Sequence, residues 1–328
     1  MSGAAELASR QSVLITGARG KIGGRLVAHM LAAGHAVVGA SRDASHPPVE
    51  WPPQARFVQL DPCDDPALSV EALRGIDSVI HLAAADEVRS AADPDAATVE
   101  TGLGTRRLLQ AAADAGVRRF IFLSTIHVYG ALLGELAETR APKPTHPYAI
   151  THLLGEYFTR AGPSGLETVV VRLSNGIGAA AWLGAEKSRL VGDDLMRQAL
   201  TQGEITLRTP GQWRDFICMS DVCAGIERLV LTPAAELGEG LFNLGGDMPL
   251  QIVDVARRAA AVAEQLTGRP VVLRMDAHPP ATPPPFRFPI DRMRSVGFVP
   301  VGEAGLFAEL LATARLYRQA SPQAVSAL

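Results

Sequence analysis

The chain has 328 residues, of which 47% are apolar and 20% are charged, and its formal net charge is −3. This composition is typical of a folded globular protein with one large or two ordinary domains, and it excludes a disordered chain. Because the charge shows no basic excess, we expect no nucleic-acid partner and no binding to an anionic membrane.

The cysteines and the N-terminal residues indicate where the protein works. Cys63, Cys218 and Cys223 lack CxxC spacing and have no histidine at metal-ligand spacing, so we predict reduced thiols and no metal site. The N-terminal run MSGAAELASRQ carries charged Glu6 and Arg10 and does not fit a signal peptide. We therefore expect a soluble, cytoplasmic protein without a membrane span.

Short apolar runs alternate with helical patterns through the first half of the chain. We predict buried parallel strands at 12–16, 35–41, 56–60, 78–84, 118–125 and 168–174. Helices are predicted between them, most clearly at 23–34 and at 97–116, and each of these two ranges ends at a glycine. This alternation predicts an α/β fold with a Rossmann-like, doubly wound parallel sheet.

The alternation weakens after about residue 175. Three helices are predicted in the second half, at 192–204, 220–231 and 252–268. The proline-rich run 278–289 is predicted as an extended loop. We assign residues 1–174 to the Rossmann domain and 175–328 mainly to a smaller C-terminal domain, with a segment near 211–245 returning to the first. The binding cleft is expected between the two.

A glycine-rich turn follows the first predicted strand. The stretch VLITGARGKIGG places Gly17, Gly20 and Gly23 between that strand and a helix. Glycines there let the backbone approach a pyrophosphate, and the helix N-terminus supplies amide donors and the positive end of its dipole. In this context the pattern predicts a dinucleotide site, with Arg19 and Ile22 among its residues.

The tip of the second strand bears on which dinucleotide is bound. An NAD site usually has an acidic residue there, whereas this chain has Ser41 and Arg42. A hydroxyl and a guanidinium suit a 2′-phosphate, so the sequence favours NADP over NAD. Alternatively, Arg42 is a solvated loop charge and Asp43 binds the ribose. Asp61, after the third strand, either accepts from the adenine amino group or caps the next turn.

These motifs resemble those of the extended short-chain dehydrogenase/reductases, in the nucleotide-sugar epimerase/dehydratase branch, through nearly the whole chain. TGARGKIG is similar to that family's TGxxGxxG, and DSVIHLAA resembles its strand-four signature, in which Leu82 and Ala83 would line the cofactor. FLSTIHVYG resembles the run that ends in VYG. In the family an active-site Ser or Thr stands four residues before that tyrosine, which here is Thr125 before Tyr129.

PYAITHLLGE falls on the family's catalytic YxxxK segment, with Tyr148 as the acid/base and His152 in the place of the lysine. In the family the lysine lowers the pKa of the tyrosine and holds the nicotinamide ribose. Free Tyr titrates at ~10 and free His at ~6.5, so a neutral His152 lacks the charge that stabilises a tyrosinate. It keeps the ability to accept a proton or to hydrogen-bond the ribose. We expect the replacement to impair alcohol oxidation more than ketone reduction.

The resemblance also implies substrate-binding residues. RLSNGIG resembles an RxxN segment in which Asn175 contacts the substrate diphosphate, and GQWRDFICMSDV resembles the RDF element, whose arginine is Arg214. Arg287, near the closing element IDRMRSVGFVP, is expected to be a second phosphate arginine, because a guanidinium binds phosphate oxygens in pairs. The alternatives are plain surface charge, or an ion pair from Arg214 to Asp215 or Asp221.

Two departures from the family bear on the chemistry. Ile126 and His127 stand where the dehydratases of this branch carry an Asp-Glu pair, so we do not expect dehydratase activity. His127 either faces the substrate as an extra acid or is a polar residue at the sheet edge. Thr101 replaces the family's asparagine in the NVxGT segment.

The resemblance implies an NAD(P)-dependent oxidoreductase or epimerase that acts on a nucleotide-sugar-like substrate and leans to ketone reduction. Thr125, Tyr148 and His152 would be its catalytic residues, and His127 would join the substrate-binding set. It also implies a homodimer formed through a two-helix face. The alternative is a catalytically impaired member that serves as a dinucleotide-binding sensor or scaffold.

Overall fold

A seven-stranded parallel sheet dominates the computed structural model, which describes residues 10–42, 47–182, 185, 190–276 and 281–319. Its strands are β1 (Ser12–Thr16), β2 (Ala36–Ser41), β3 (Arg56–Gln59), β4 (Ser78–His81), β5 (Arg119–Thr125), β6 (Glu167–Leu173) and β10 (Leu241–Leu244). They lie in the order β10-β6-β5-β4-β1-β2-β3. The order reverses between β1 and β4, and open α/β sheets bind ligands at the carboxyl ends of strands beside such a reversal.

Both faces of this sheet are covered by helices, which explains why its strands read as continuous apolar runs. In β1, Val13 and Ile15 pack into one core while Leu14 packs into the opposite one. The helices of the Rossmann domain are α1 (Lys21–Ala32), α2 (Pro66–Leu73), α3 (Glu87–Ala92), α4 (Pro94–Ala97), α5 (Gly104–Asp114), α6 (Pro147–Arg160) and α8 (Met219–Leu231). A π-helical segment, Thr98–Leu103, joins α4 to α5.

The C-terminal part forms a second core around a small mixed sheet. That sheet contains β7 (Asn175–Ile177), β9 (Trp213–Cys218) and β11 (Met248–Gln251), with β9 parallel to β7 and antiparallel to β11. A separate parallel pair is formed by β8 (Glu204–Leu207) and β12 (Val272–Met275). The helices of this core are α7 (Val191–Gln202), α9 (Ile252–Thr267) and α11 (Glu303–Gln319), whereas α10 (Asp291–Ser295) returns to β10 of the large sheet.

The predicted fold class is confirmed: a Rossmann-like parallel sheet is joined to a smaller C-terminal unit. Within the segment 211–245, β10 pairs with β6 of the large sheet, whereas β9 pairs with β7 and β11 of the small one. The exact domain limits stay a prediction. Cys63 is partly buried, Cys218 and Cys223 are buried, and all three are free thiols. None of the helices in the described ranges has the length and hydrophobicity needed to cross a membrane.

Ion pairs join the first helix of the Rossmann domain to the C-terminal part. The ammonium of Lys21, at the start of α1, hydrogen-bonds both carboxylate oxygens of Asp193 on α7, and both side chains are buried. One turn further on, Arg25 Nη2 lies 3.0 Å from Glu309 Oε1 on α11. These ion pairs therefore fix the helix that follows the glycine turn to the C-terminal part.

Candidate active site

The glycine turn has the geometry that a dinucleotide pyrophosphate requires. Gly17 has a φ of 65°, and a Cβ at that position would lie 3.1 Å from the backbone nitrogen of Ala83. A Cβ on Gly23 would lie 2.3 Å from the carbonyl oxygen of Gly17, so a side chain there would push α1 off the turn. No side chain caps the start of α1 at Gly20. The amides that open the helix are thus available for an anion, and the residues present fit the cofactor.

A buried hydrogen-bond chain fixes the neighbouring end of β4. The hydroxyl of Thr16 accepts from the backbone N–H groups of Leu82 and Ala83, each at 3.1 Å. That hydroxyl must therefore donate to Nδ1 of His81, which lies 2.7 Å away. The opposite ring nitrogen of His81 contacts the hydroxyl of Thr105 at 3.1 Å. Burial lowers the pKa of His81 to about 3, so the ring is neutral and holds the strand end that faces the glycine turn.

At the tip of β2, Arg42 pairs with a carboxylate, whereas the sequence predicted that it would bind a 2′-phosphate. Arg42 Nη2 lies 2.9 Å from Oε1 of Glu100, on the π-helical segment. Asp61 uses Oδ1 to accept from the N–H of Cys63 at 2.8 Å, which is the turn-capping alternative. Its contact with adenine stays a proposal. Asp43 lies outside the described residues.

Thr125 and Tyr148 meet at the carboxyl end of β5. Thr125 ends that strand, and Pro147 starts α6 so that Tyr148 lies in its first turn. Burial raises the pKa of Tyr148 to about 12, although a hydrogen bond with the side chain of Thr125 acts in the opposite direction. The carboxylates of Glu87 and Asp86 add to the increase. Tyr148 is therefore a protonated phenol at neutral pH.

His152 lies directly against Tyr148, with ring centroids 4.2 Å apart. Its Nδ1 is 2.9 Å from the carbonyl oxygen of Tyr148, one helical turn earlier. A carbonyl accepts only, so Nδ1 carries the proton and Nε2 is the basic nitrogen. Burial lowers the pKa of His152 to about 4, and the nearby His127 and His146 contribute to the decrease. The imidazole is thus neutral and brings no positive charge to the phenol.

Two more histidines complete a ring of imidazoles around Tyr148. His146 stacks on the phenol with centroids 6.0 Å apart, and His127 lies 6.3 Å away in an edge-on arrangement. Both line a cavity of about 310 Å³ that also contacts Trp213, Arg214 and Phe286. Burial lowers the pKa of His127. The carboxylate of Glu87 opposes this decrease, and His146 and Arg214 add to it. His127 therefore faces the cavity, as one of its two predicted alternatives requires.

Glu87, His127 and His146 are side chains of metal-ligand type, and their ligand atoms lie within 4.8 Å of one another. Two contacts oppose a cation there. Nδ1 of His146 accepts from the N–H of Ala149, which caps α6, and the charge of Arg214 acts on His127. We therefore describe this cluster as the polar wall of the cavity.

The predicted phosphate-binding residues occupy different positions. Arg214 borders the cavity and forms no ion pair with any described residue, while Asp215 and Asp221 accept backbone N–H groups elsewhere. Asn175 donates to the carbonyl oxygen of Asp215 at 2.9 Å and so lies beside Arg214. Arg287 points outward: its side chain is 76% exposed and its Nη1 lies 2.9 Å from Glu135 Oε2. Its predicted phosphate contact receives no support from this position.

Sequence reasoning missed several residues of the site. His146 and Glu87 border the Tyr148 cluster, His81 supports the end of β4, and Glu100 pairs with Arg42. Only His146 had a local signal, since it precedes the proline that opens a helix. The others lie on separate elements that only the fold brings together.

The family model for the NAD dependent epimerase/dehydratase family matches residues 13–245. The chain belongs to this family. A relative from Bacillus subtilis (strain 168), named uncharacterized UDP-glucose epimerase YtcB, is 29% identical over 277 residues, covering 80% of this chain and 84% of that protein. The dTDP-glucose 4,6-dehydratase of Streptomyces griseus is 34% identical over 180 residues, covering 51% of this chain and 54% of that protein.

Solved structures agree with this assignment. MoeE5 in complex with UDP-glucuronic acid and NAD superposes with a TM-score of 0.76 at 25% identity, covering 94% of this chain and 99% of that one. The epimerase Mth375 from Methanothermobacter thermautotrophicus has a TM-score of 0.78 at 24% identity, covering 96% of this chain and 94% of that one. The second comparison shows a shared fold.

Proposed function

We propose that this family member is an NAD-dependent enzyme that oxidises and reduces a hydroxyl carbon of a nucleotide sugar, with Tyr148 as the acid/base. The observation that carries the proposal is the position of Tyr148. Its phenol hydrogen-bonds the side chain of Thr125 and lies next to His127 and His146, which line the cavity beside Arg214. The glycine turn follows β1, two strands away from β5 in the sheet.

The protein supplies orientation and proton transfer to this reaction. When bound, NAD accepts or donates a hydride, which is the chemistry that the side chains cannot perform. Gly17, Gly20 and the first turn of α1 hold the pyrophosphate, with Arg19 and Ile22 beside them, while Leu82 and Ala83 line the pocket. Thr125 orients the phenol of Tyr148 and the substrate oxygen. The assignment of the pyrophosphate to this turn is supported by Gly17 and Gly23, where a Cβ would meet backbone atoms.

We propose that the proton-donating direction is the easier one. A phenol with a pKa of about 12 is an available acid at neutral pH and a scarce base. The neutral imidazole of His152 leaves that pKa high, because it carries no charge to favour the tyrosinate. Reduction of a ketone should therefore be faster than oxidation of the corresponding alcohol. His152 would also hydrogen-bond the cofactor ribose through Nε2, the nitrogen that Nδ1 leaves free to accept.

Arg214 supports a phosphorylated substrate. Burial lowers its pKa, Glu87 opposes that decrease, and the guanidinium borders the cavity. A diphosphate there would pair with the fork of Arg214, while Asn175 holds the neighbouring strand. MoeE5 was solved with UDP-glucuronic acid and with UDP-glucose, which makes a UDP-sugar the first substrate class to test. His127 would contact the sugar.

We also propose a homodimer. Ile150 and Tyr157 are exposed apolar residues two turns apart on α6, and exposed Val99 lies on the π-helical segment that packs against this helix. Such a face is one that a second copy would cover. Sedimentation of wild type and of Tyr157→Glu tests this: wild type should sediment as a dimer and the variant as a monomer, whereas a monomeric wild type would contradict it.

The proposed activity has a direct test. Purified protein is denatured and the released nucleotide is identified by mass, and conversion of UDP- and dTDP-sugars is followed by NMR with added NAD. We expect NAD in the released fraction or filling the site on titration, and conversion of at least one sugar that Tyr148→Phe abolishes. If neither dinucleotide binds at about millimolar concentration, the proposal is wrong. Binding without conversion would favour a sensor or scaffold.

A further inference from the structure

A single carboxylate lies between two arginines at the outer edge of the expected cofactor site. Glu100 Oε1 is 2.9 Å from Arg42 Nη2, and Glu100 Oε2 is 2.7 Å from Arg89 Nη2. The side chain of Glu100 is only 15% exposed, whereas both arginines are about half exposed. Glu100 is therefore the fixed member of this group, and the arginines reach towards it.

The backbone that carries Glu100 is held by its own contacts. It belongs to the π-helical segment Thr98–Leu103, and π-turns recur at functional sites because they reorient side chains within a helix. Thr101 in the same turn is buried, and its hydroxyl accepts from the N–H of Ala85 at 3.0 Å. The hydroxyl of Thr98 donates to the carbonyl of Pro94 at 2.8 Å. The position of the Glu100 carboxylate is thus set by the fold.

The carboxylate also faces the end of β3. Burial and the carboxylate of Asp61 raise the pKa of the Cys63 thiol, and Glu100 adds to this increase while Arg107 opposes it. Arg42 follows β2, and Asp61 and Cys63 follow β3. The ends of these two strands receive the adenosine half of a dinucleotide in this fold. Two carboxylates therefore flank this region, although the tip of β2 has none among its described residues.

We propose that Glu100 determines cofactor choice at the adenosine ribose: it supplies an acid beside the described tip of β2, holds Arg42, and so selects NAD against NADP. The inference rests on the proposed function, because it assigns the specificity of that dinucleotide site. It reverses the preference for NADP that Ser41 and Arg42 predict when the sequence is considered alone.

Charge explains the selection. The ribose hydroxyls of NAD donate hydrogen bonds, and a carboxylate is their natural acceptor. NADP instead brings a 2′-phosphate, which Glu100 repels. Arg42, the cation that would bind this phosphate, already has its Nη2 on Glu100, so the carboxylate offsets the charge that the guanidinium could offer to the phosphate.

The test is a cofactor titration of purified full-length protein with NAD and with NADP, read as the ratio of the two dissociation constants. Wild type should bind NAD more tightly. Glu100→Gln, which keeps the shape and removes the charge, should shift the ratio towards NADP by about tenfold or more, equivalent to about 1.4 kcal/mol. Adding Arg42→Gln to that variant should remove the part of the shift that the freed Arg42 provides and leave the part that comes from the lost charge of Glu100. Glu71→Gln, which removes an exposed carboxylate paired with Arg74, is the matched control and should leave the ratio unchanged.

Arg42→Gln alone gives an independent test that does not depend on the Glu100 variant being folded. Because Glu100 already holds Arg42, its loss should change NADP affinity by less than about threefold. A fall of about tenfold or more would show that Arg42 already binds the 2′-phosphate and would overturn the inference, as would an unchanged ratio in Glu100→Gln or a wild-type preference for NADP. If wild type binds neither dinucleotide, the proposed function itself fails.

Discussion

Nδ1 of His152 lies 2.9 Å from the carbonyl oxygen of Tyr148, and this contact turns the imidazole back along its own helix. His152 therefore uses its Nδ1–H group to donate a hydrogen bond to the backbone. Because burial also lowers the pKa of His152 to about 4, Tyr148 has a neutral neighbour. The acid/base behaviour of the site follows from this pair.

His152→Lys should improve alcohol oxidation. An ammonium beside Tyr148 lowers the pKa of the phenol, and each unit of decrease gives about ten times more tyrosinate at neutral pH. Below its pKa of about 12, wild-type Tyr148 should give an oxidation rate that rises about tenfold per pH unit. The variant should level off at lower pH. Profiles of kcat/KM against pH in both directions measure this, with neutral His152→Gln as control; superimposable wild-type and lysine profiles would contradict it.

Thr125→Ala should impair oxidation more than reduction. The hydrogen bond of Thr125 lowers the pKa of Tyr148, so its loss raises that pKa further and leaves less base. General acid–base groups contribute about 10²–10⁴-fold, and we expect Tyr148→Phe to lose this much in both directions. Thr125→Ser, which keeps the hydroxyl, should restore most of the activity. Equal losses in the two directions for Thr125→Ala would refute the role assigned to its hydroxyl.

Lys21→Met should destabilise the protein strongly, because it removes the ammonium from the buried carboxylate of Asp193. Breaking a buried ion pair by removing one partner costs about 3–5 kcal/mol. The double variant with Asp193→Leu should recover part of this loss, since no buried charge then remains at the pair. Urea unfolding measures the free energies. Lys143→Met, which changes an exposed lysine, serves as the control and should be near neutral.

Acid should destabilise the fold partly through His152. Its pKa is about 4 in the folded protein and ~6.5 when unfolded, so between these values the unfolded state binds an additional proton. The free energy of unfolding should then fall by up to about 1.4 kcal/mol per pH unit as pH decreases. His81, with a pKa of about 3, acts in the same direction, and Asp215, raised by burial to about 6, acts in the opposite one.

His152→Gln isolates this contribution, because His81 and Asp215 remain in both proteins. Its unfolding free energy should vary less steeply with pH between about 6.5 and 4.5 than that of wild type. Thermal unfolding at several pH values gives the two slopes, and equal slopes would show that His152 is not buried in its neutral form.

The elements that the sequence predicted well are those with a repeated local signal. β1 was predicted at 12–16 and is observed at Ser12–Thr16, because each of its residues from Val13 onward is buried between helices. β8 and β12 were not predicted. They are only 4 residues each, and exposed or half-buried polar positions interrupt their apolar pattern. Short edge strands depend on a partner that the local sequence does not contain.

The candidate site divides in the same way. Gly17, Thr125 and Tyr148 occur in motifs that couple spacing to structure, and the sequence predicts them as site residues. Glu100 and Glu87 act through residues far away in the chain, such as Arg42 and His127. Contacts of this kind depend on how helices pack on a sheet. The local sequence around Arg42 favours NADP because it does not contain Glu100, which the packing of the fold brings to this arginine.

The most direct measurement is the absorbance of NADH at about 340 nm after rapid mixing of the enzyme with NADH and a 4-keto UDP-sugar. Wild type should consume the absorbance at neutral pH, and Tyr148→Phe should bind NADH equally well while the decay slows by about 10²-fold or more. If Tyr148→Phe consumes NADH as fast as wild type, Tyr148 is not the proton donor and the account is contradicted.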